Sequence, residues 1–342
     1  MSDKIKCQQP AWLSLDDFLH QGEAVSSLIR DVRSGRPPHA LVIMGMAGTG
    51  KRTLARLLAC AFLCTGEGEK PCMVCKGCRR VISGTHPDLL VPSADEKERS
   101  VKVDHLRDII HALSMHAAEG GERVVLMENA QRMTPQAQNA LLKSLEEPDE
   151  ATHFILTASG ESGLLSTVRS RCRVLRMPPW PADRIRSELI RRGTGEERAR
   201  ELAALSGGSL GLALAMEQDP SFLETREVCE AAFFSLRSAR DVPEAAAMLK
   251  DKKDDADEIL SVCEERIRQY LLYRMGAGPQ PERSRSTRCH ESFVHASPRA
   301  LENVLSAVID ARRYRAANVS WQAVSENLLY TISEEIELWQ PS

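Results

Sequence analysis

A run of apolar residues, Ala40 to Met44, breaks into Gly45-Met46-Ala47-Gly48-Thr49-Gly50-Lys51, and helix-forming sequence with apolar positions at Leu54, Leu57, Leu58 and Ala61 follows at once. Strand, glycine loop and helix in that order predict an α/β fold. Backbone N–H groups of such a loop, at a helix N-terminus, can face phosphate oxygens, and Lys51 supplies a cation for the β and γ phosphates. The candidate nucleotide contacts are Gly45, Gly48, Thr49, Gly50, Lys51 and Thr53. The usual motif places a Ser or Thr directly after the lysine as a magnesium ligand. Here Arg52 holds that position and Thr53 comes one residue late, turned about 100° around the helix.

Further apolar runs at Val124–Met127, Phe154–Thr157 and Val174–Met177 read as parallel strands of the same sheet. Thr134 is a candidate N-cap, with Pro135 at the first helical position, and Pro148 is the expected stop of that helix. The second strand runs into Glu128-Asn129, where a working ATPase carries two consecutive acids, one for magnesium and one to activate water. Only Glu128 is acidic. An amide at Asn129 can orient water but cannot accept its proton. Pro178, Pro179 and Pro181 mark an exit from the sheet into sequence of helical periodicity, broken at Gly193 and Gly207-Gly208. Ile259, Leu260, Cys263, Ile267 and Leu271 predict one apolar helix face. Leu301, Val304, Leu305 and Val308 predict another, as do Leu328, Ile332 and Ile336. Residues 275–298, rich in Gly, Pro, Ser and Arg, read as a surface loop.

With 342 residues the chain has room for two or three domains, and its 4% aromatic content favours helix-rich packing over a β-sandwich. A net charge of -3 gives no overall basic footprint for binding nucleic acid alone. There is no 18-residue apolar run, and Met1 to Pro10 is polar, so a cytoplasmic protein without a membrane span is expected. In a reducing compartment the cluster Cys64, Cys72, Cys75 and Cys78 reads as a metal site, and its spacing suits tetrahedral zinc. With all four positions filled by protein, such a metal is structural. The same cluster, with Lys76, Arg79 and Arg80, also admits a reading as a nucleic-acid-binding ribbon. His39, His86, His105, His111 and His116 are scattered and suggest no catalytic set, and Ser159, Ser162 and Ser166 fit no nucleophile pattern. Thr157, at a strand end, is a candidate phosphate contact or a residue without a role.

The segments Gly48 to Ala55, His86-Pro87-Asp88, Gly120 to Val125, Asn139 to Pro148 and Ser170-Arg171-Cys172 resemble the delta-prime subunits of the bacterial DNA polymerase III clamp loader, which are AAA+ proteins. The resemblance covers roughly residues 14 to 215. It implies a nucleotide-binding AAA+ domain with the zinc module (residues 1–178), a helical lid (179–218) and an all-α collar (219–342) that joins a ring of subunits. It also implies a subunit that does not hydrolyse ATP and works beside gamma/tau and delta subunits to place the sliding clamp on primed DNA. ATP and magnesium binding is then weak or absent, and the metal is structural zinc. Arg171 would be an arginine finger reaching a neighbour's ATP. Without the resemblance, Arg169, Arg171 and Arg173 read equally as a solvated basic rim. Gly211 stands where gamma/tau-type lids carry a nucleotide-sensing arginine. The alternatives left open are an active gamma/tau-like ATPase and a zinc-dependent nucleic-acid-binding module.

Overall fold

Short apolar runs become the interior strands of one parallel sheet: β1 (Ala40–Met44), β2 (Leu89–Leu90), β3 (Arg123–Met127), β4 (Thr152–Ala158) and β5 (Arg173–Arg176), in the order β2-β3-β4-β1-β5. Every residue of β1, β3 and β4 is buried, as expected for central strands covered by helices on both faces. In the computed structural model the described residues are 14–92, 101–115, 117–119, 121–147, 151–161, 163–277, 280, 290–317 and 319–339. Readings at Met1–Pro10, His116, Gly120, Pro148, Ser162 and, within 275–298, residues 278–279 and 281–289 lie outside them, as do the side chains of His105 and Ile336.

The strand ends are in register. Met44 lies beside Ala158 and Met127 beside Leu156, so the loop after β1 and Glu128 after β3 emerge at one carboxyl edge, with Thr157 on β4 between them. Ligands of open α/β sheets bind at that edge. The strand order with a phosphate loop after β1 is the AAA+ fold. β2 escaped the sequence reading because two residues carry no periodicity.

Helices α1 (Leu15–Phe18) and α2 (Glu23–Arg33) precede β1; α3 (Lys51–Phe62) and α4 (Lys76–Ile82) lie between β1 and β2. Helix α5 (Val103–Leu113) leads to β3, α6 (Pro135–Glu146) to β4 and α7 (Ser166–Arg169) to β5. In α3, Leu54, Leu57, Leu58 and Ala61 are buried, as their spacing requires; removing each leucine from water contributes about 1.5–3 kcal/mol. α6 starts as its sequence dictates: the Thr134 hydroxyl accepts from Ala137 N–H at 3.2 Å, and Pro135 occupies the first turn. The Arg123 guanidinium on β3 donates to the carbonyls of Ala112 (2.8 Å) and Met115 (2.6 Å), fastening the end of α5 and the turn after it to the sheet. After β5 come α8 (Ala182–Arg191), α9 (Glu196–Leu205) and α10 (Leu210–Gln218), separated at Gly193 and Gly207-Gly208.

The chain forms two compact units, Met1–Ala213 and Leu214–Ser342. The second is all helix among its described residues: α11 (Pro220–Phe233), α12 (Val242–Leu249), α13 (Ala256–Arg274), α14 (His290–His295), α15 (Pro298–Ala316) and α16 (Trp321–Trp339). Ile259, Leu260, Cys263 and Ile267 of α13, Leu301, Val304 and Val308 of α15 and Leu328 and Ile332 of α16 share its core, with Leu271 and Leu305 packed against it. The Trp321 indole donates to Leu249 O at 2.7 Å, tying α16 to the end of α12. No helix among the described residues is long and apolar enough to cross a membrane.

Candidate functional site

The loop at Gly45 to Lys51 is closed on itself, with Thr49 and Lys51 buried and Ala47 and Gly48 exposed at its tip. Gly48 and Gly50 hold φ of 74° and 92°, conformations open to glycine, and these turn the chain into α3. Lys51 does not project into open space. It is 9% exposed, and its Nζ donates to Met46 O at 2.6 Å. Burial lowers its pKa from the ordinary lysine value to about 8. The Thr49 hydroxyl also donates to Met46 O, at 3.0 Å, while Thr49 O accepts from Gln21 Nε2 (3.0 Å) and from the Trp180 indole (2.9 Å). The Phe18 ring packs 5.7 Å from Trp180, and a Cβ on Gly50 would come within 3.0 Å of it.

The start of α10 lies directly on this loop. Gly211 N–H donates to Gly48 O at 2.9 Å, and a Cβ at position 211 would stand 2.9 Å from Gly48 Cα. An arginine here would force the two backbones apart, so the glycine is required by the contact itself.

The lowered Lys51 pKa has a sign that can be checked. Between about pH 8 and the unfolded value of 10.5, the unfolded chain binds the additional proton, so stability from this group rises with pH and is least where the buried amine is charged. Unfolding free energies measured from pH 8 to 10 are expected to rise more in the native chain than in Lys51→Met.

Glu128 is fully engaged within the chain. Its Oε2 accepts from Arg52 Nε at 2.6 Å and pairs with Arg52 Nη2, while its Oε1 accepts from Arg56 Nε at 2.9 Å. The carboxylate is 13% exposed and carries two guanidinium groups, so the local charge is positive where a magnesium ion would need a negative ligand. Arg56 was missed in the sequence, although it lies one helical turn after Arg52 on α3. Thr53 is half-buried on the same helix. Asn129 has φ 56°, and its N–H donates to Thr157 Oγ1 at 3.0 Å, which gives that buried strand-end hydroxyl a structural use.

Arg171 stands apart from the loop, just after α7. Its Nε donates to Glu146 Oε1 at 2.6 Å, its Nη2 pairs with the same oxygen, and its Nη1 donates to Thr167 O at 2.9 Å. Its side chain is 32% exposed. Arg169 and Arg176 both pair with Glu161, and Arg173 pairs with Asp31, so the basic rim is paired with acids of this chain. The buried Gln138 fixes this region to α6. Its Nε2 donates to Met133 O (3.1 Å) and Gly163 O (2.7 Å), and its Oε1 accepts from Leu165 N–H at 2.7 Å.

Beyond α3, the structure brings Cys64, Cys72, Cys75 and Cys78 together, with all four Sγ atoms within 4.8 Å of one another. The Cys64 and Cys75 sulfurs are 3.9 Å apart, against about 3.8 Å for the edge of a tetrahedron with 2.3 Å zinc–sulfur bonds. Backbone N–H groups point at the sulfurs: Cys72 N to Cys64 Sγ (3.5 Å), Cys75 N to Cys72 Sγ (3.3 Å) and Cys78 N to Cys75 Sγ (3.4 Å). Such donors favour thiolates. Burial acts to raise the Cys75 pKa, but the Cys78 amide and Thr65 outweigh it and bring it down to about 5. The backbone amides of Val74 and Cys75 lower that of Cys72. This donor set could hold a soft or borderline metal ion. Cys60 is close by but differs: burial pushes its thiol up to about 12, and its Sγ contacts Cys78 O at 3.9 Å. His86 and Asp88 brace the module's surroundings. Asp88 accepts from the N–H groups of Ala118 (2.7 Å) and Glu119 (3.1 Å), and Glu119 pairs with Arg80 of α4.

Residues 20–181 match a family model described as DNA polymerase III, delta subunit. A relative named DNA polymerase III subunit delta' from Escherichia coli (strain K12) is 37% identical over 62% of this chain and 64% of its own length. Another of that name, from Bacillus subtilis (strain 168), is 26% identical over 95% of this chain and 99% of the relative. DNA polymerase III subunit tau of Escherichia coli (strain K12) is 32% identical over 58% of this chain and 32% of that protein. The chain thus spans under two thirds of the Escherichia coli delta' relative's length and nearly all of the Bacillus subtilis one.

Proposed function

We propose that the chain, whose residues 20–181 match the DNA polymerase III delta family model and which is similar to subunits named delta', is a clamp-loader subunit that does not hydrolyse ATP itself and completes the ATP site of a neighbouring subunit with Arg171. Its partners in this reading are gamma/tau and delta subunits in a cytoplasmic ring, and through that ring the sliding clamp and primed DNA. The observation that carries the non-hydrolysing part is the capture of Glu128 by Arg52 and Arg56. Hydrolysis on a P-loop needs a magnesium-binding hydroxyl after the lysine, a free acid at the end of the second strand and a group that activates water. Arg52 replaces the first, the two arginines occupy the second, and Asn129 stands at the third. Lys51, turned back onto Met46 O, and α10, laid on Gly48, support weak or absent nucleotide binding.

Arg171 contributes chemistry of another kind. A guanidinium brought against a neighbour's γ-phosphate stabilises the charge that develops in phosphoryl transfer, and no metal or base is required of the chain that supplies it. The four cysteines would hold structural zinc, which would fix the segment between α3 and α4 without taking part in the reaction. The competing reading, an active gamma/tau-like ATPase, draws on the likeness to the tau relative. Turnover by the isolated chain separates the two. With ATP and magnesium it is expected to stay at background; turnover that disappears in Lys51→Ala would establish the ATPase instead.

A further inference from the structure

The last turn of α6 breaks a local electrostatic rule. Helix C-termini carry partial negative charge and favour cations such as Lys143 in this turn, yet α6 ends in Glu146 with Glu147 at its C-cap. An unfavourable acid is retained where another group compensates it, and here that group is Arg171, brought from beyond β4. The pairing uses the guanidinium thoroughly. Nε and Nη2 are on Glu146 Oε1 and Nη1 is on Thr167 O, so each of the three nitrogens already serves this chain's own acceptors. A guanidinium held this way is withdrawn from any acceptor outside the chain. Both partners remain in reach of solvent, at 32% and 47% side-chain exposure, so an incoming group can meet them.

Resting on the reading of Arg171 as a finger, we propose that Glu146 is its positioning residue, a latch that keeps the guanidinium parked against α7 until a nucleotide phosphate on the neighbouring subunit takes it over. The exchange is a competition between two anions for one cation. The carboxylate carries a single charge in a half-exposed pair, whereas a terminal phosphoryl group offers more charge and several oxygens in the geometry a guanidinium matches. The latch therefore yields once ATP is in place, at the small cost of an exposed pair, and withholds the finger when it is not. No covalent step is involved, and Glu146 touches neither the nucleotide nor the attacking water.

The test is the ATPase of the reconstituted clamp-loader assembly, with and without primed DNA, for the native chain, Glu146→Gln, Arg171→Ala and the double variant, with assembly verified for each. Glu146→Gln keeps the shape and removes the charge. It is expected to raise DNA-independent turnover at least threefold and to lower KM for ATP, with little change in the DNA-stimulated kcat. Glu146→Asp, which keeps the charge, is expected to remain within twofold of the native chain. In the Arg171→Ala background Glu146→Gln is expected to have no further effect, because a latch acts only through what it holds; an effect that persisted there would reveal a merely structural role and overturn the proposal. If Arg171→Ala is impaired while Glu146→Gln behaves as native or is slower without DNA, the latch alone falls. If Arg171→Ala is unimpaired, the finger reading falls first and the latch with it.

Discussion

Arg171→Ala is expected to leave the fold intact and to slow ATP turnover about a thousandfold or more at the one interface this chain would complete. The fold should tolerate the change because the side chain is a third exposed and its partners are a half-exposed Glu146 and one backbone carbonyl. Exposed pairs of this kind contribute about 0–1 kcal/mol. The catalytic loss is far larger than that because a finger contributes most in the transition state, so its removal appears in turnover and not in assembly or melting. The check is DNA-stimulated ATPase of the reconstituted assembly beside a binding assay for the partner subunits. Unchanged turnover in a verified assembly would remove Arg171 from the mechanism.

Loss of the metal should show in stability. Cys75→Ser is expected to abolish binding of one zinc ion per chain, measured by elemental analysis of protein purified without chelator. It should also lower the melting temperature by roughly 10 °C or more, since metal binding at a site absent from the unfolded chain is folding free energy. The damage should centre on residues 64–82, where hydrogen exchange would accelerate, while the sheet keeps its protection. Cys60→Ala is the control. That thiol lies next to the cluster yet is held protonated by burial, so zinc content should be unaffected. Native protein free of zinc would refute the assignment.

The parts of this molecule that the sequence disclosed are those written locally. β1, the glycine loop and α3 are consecutive, so the change from apolar run to glycines to helical spacing appears within one window. The cysteine cluster is similar: three of its sulfurs fall within seven residues, Cys72 to Cys78. The Thr134-Pro135 cap was legible for the same reason. What stayed hidden needs the tertiary fold. The absence of a second acid after Glu128 could be read directly, but its capture by Arg52 and Arg56 joins residues on α3 to the end of β3. The Arg56 position, one turn from Arg52, was the available hint. Trp180 and Gln21, which converge on Thr49 O, come from opposite ends of the domain and carry no motif. Glu146 lies within a segment that resembles the family, yet only the structure shows what it holds.

The backbone contact between Gly48 and Gly211 also bears on how such a chain can change over generations. A Cβ at position 211 would run into the Gly48 main chain, and one at position 48 into the Ser209 side chain and towards Leu212 N, so neither glycine can acquire a side chain while the start of α10 stays in place. Far apart in the gene, the codon for position 48 and those for the first turn of α10 are therefore constrained together.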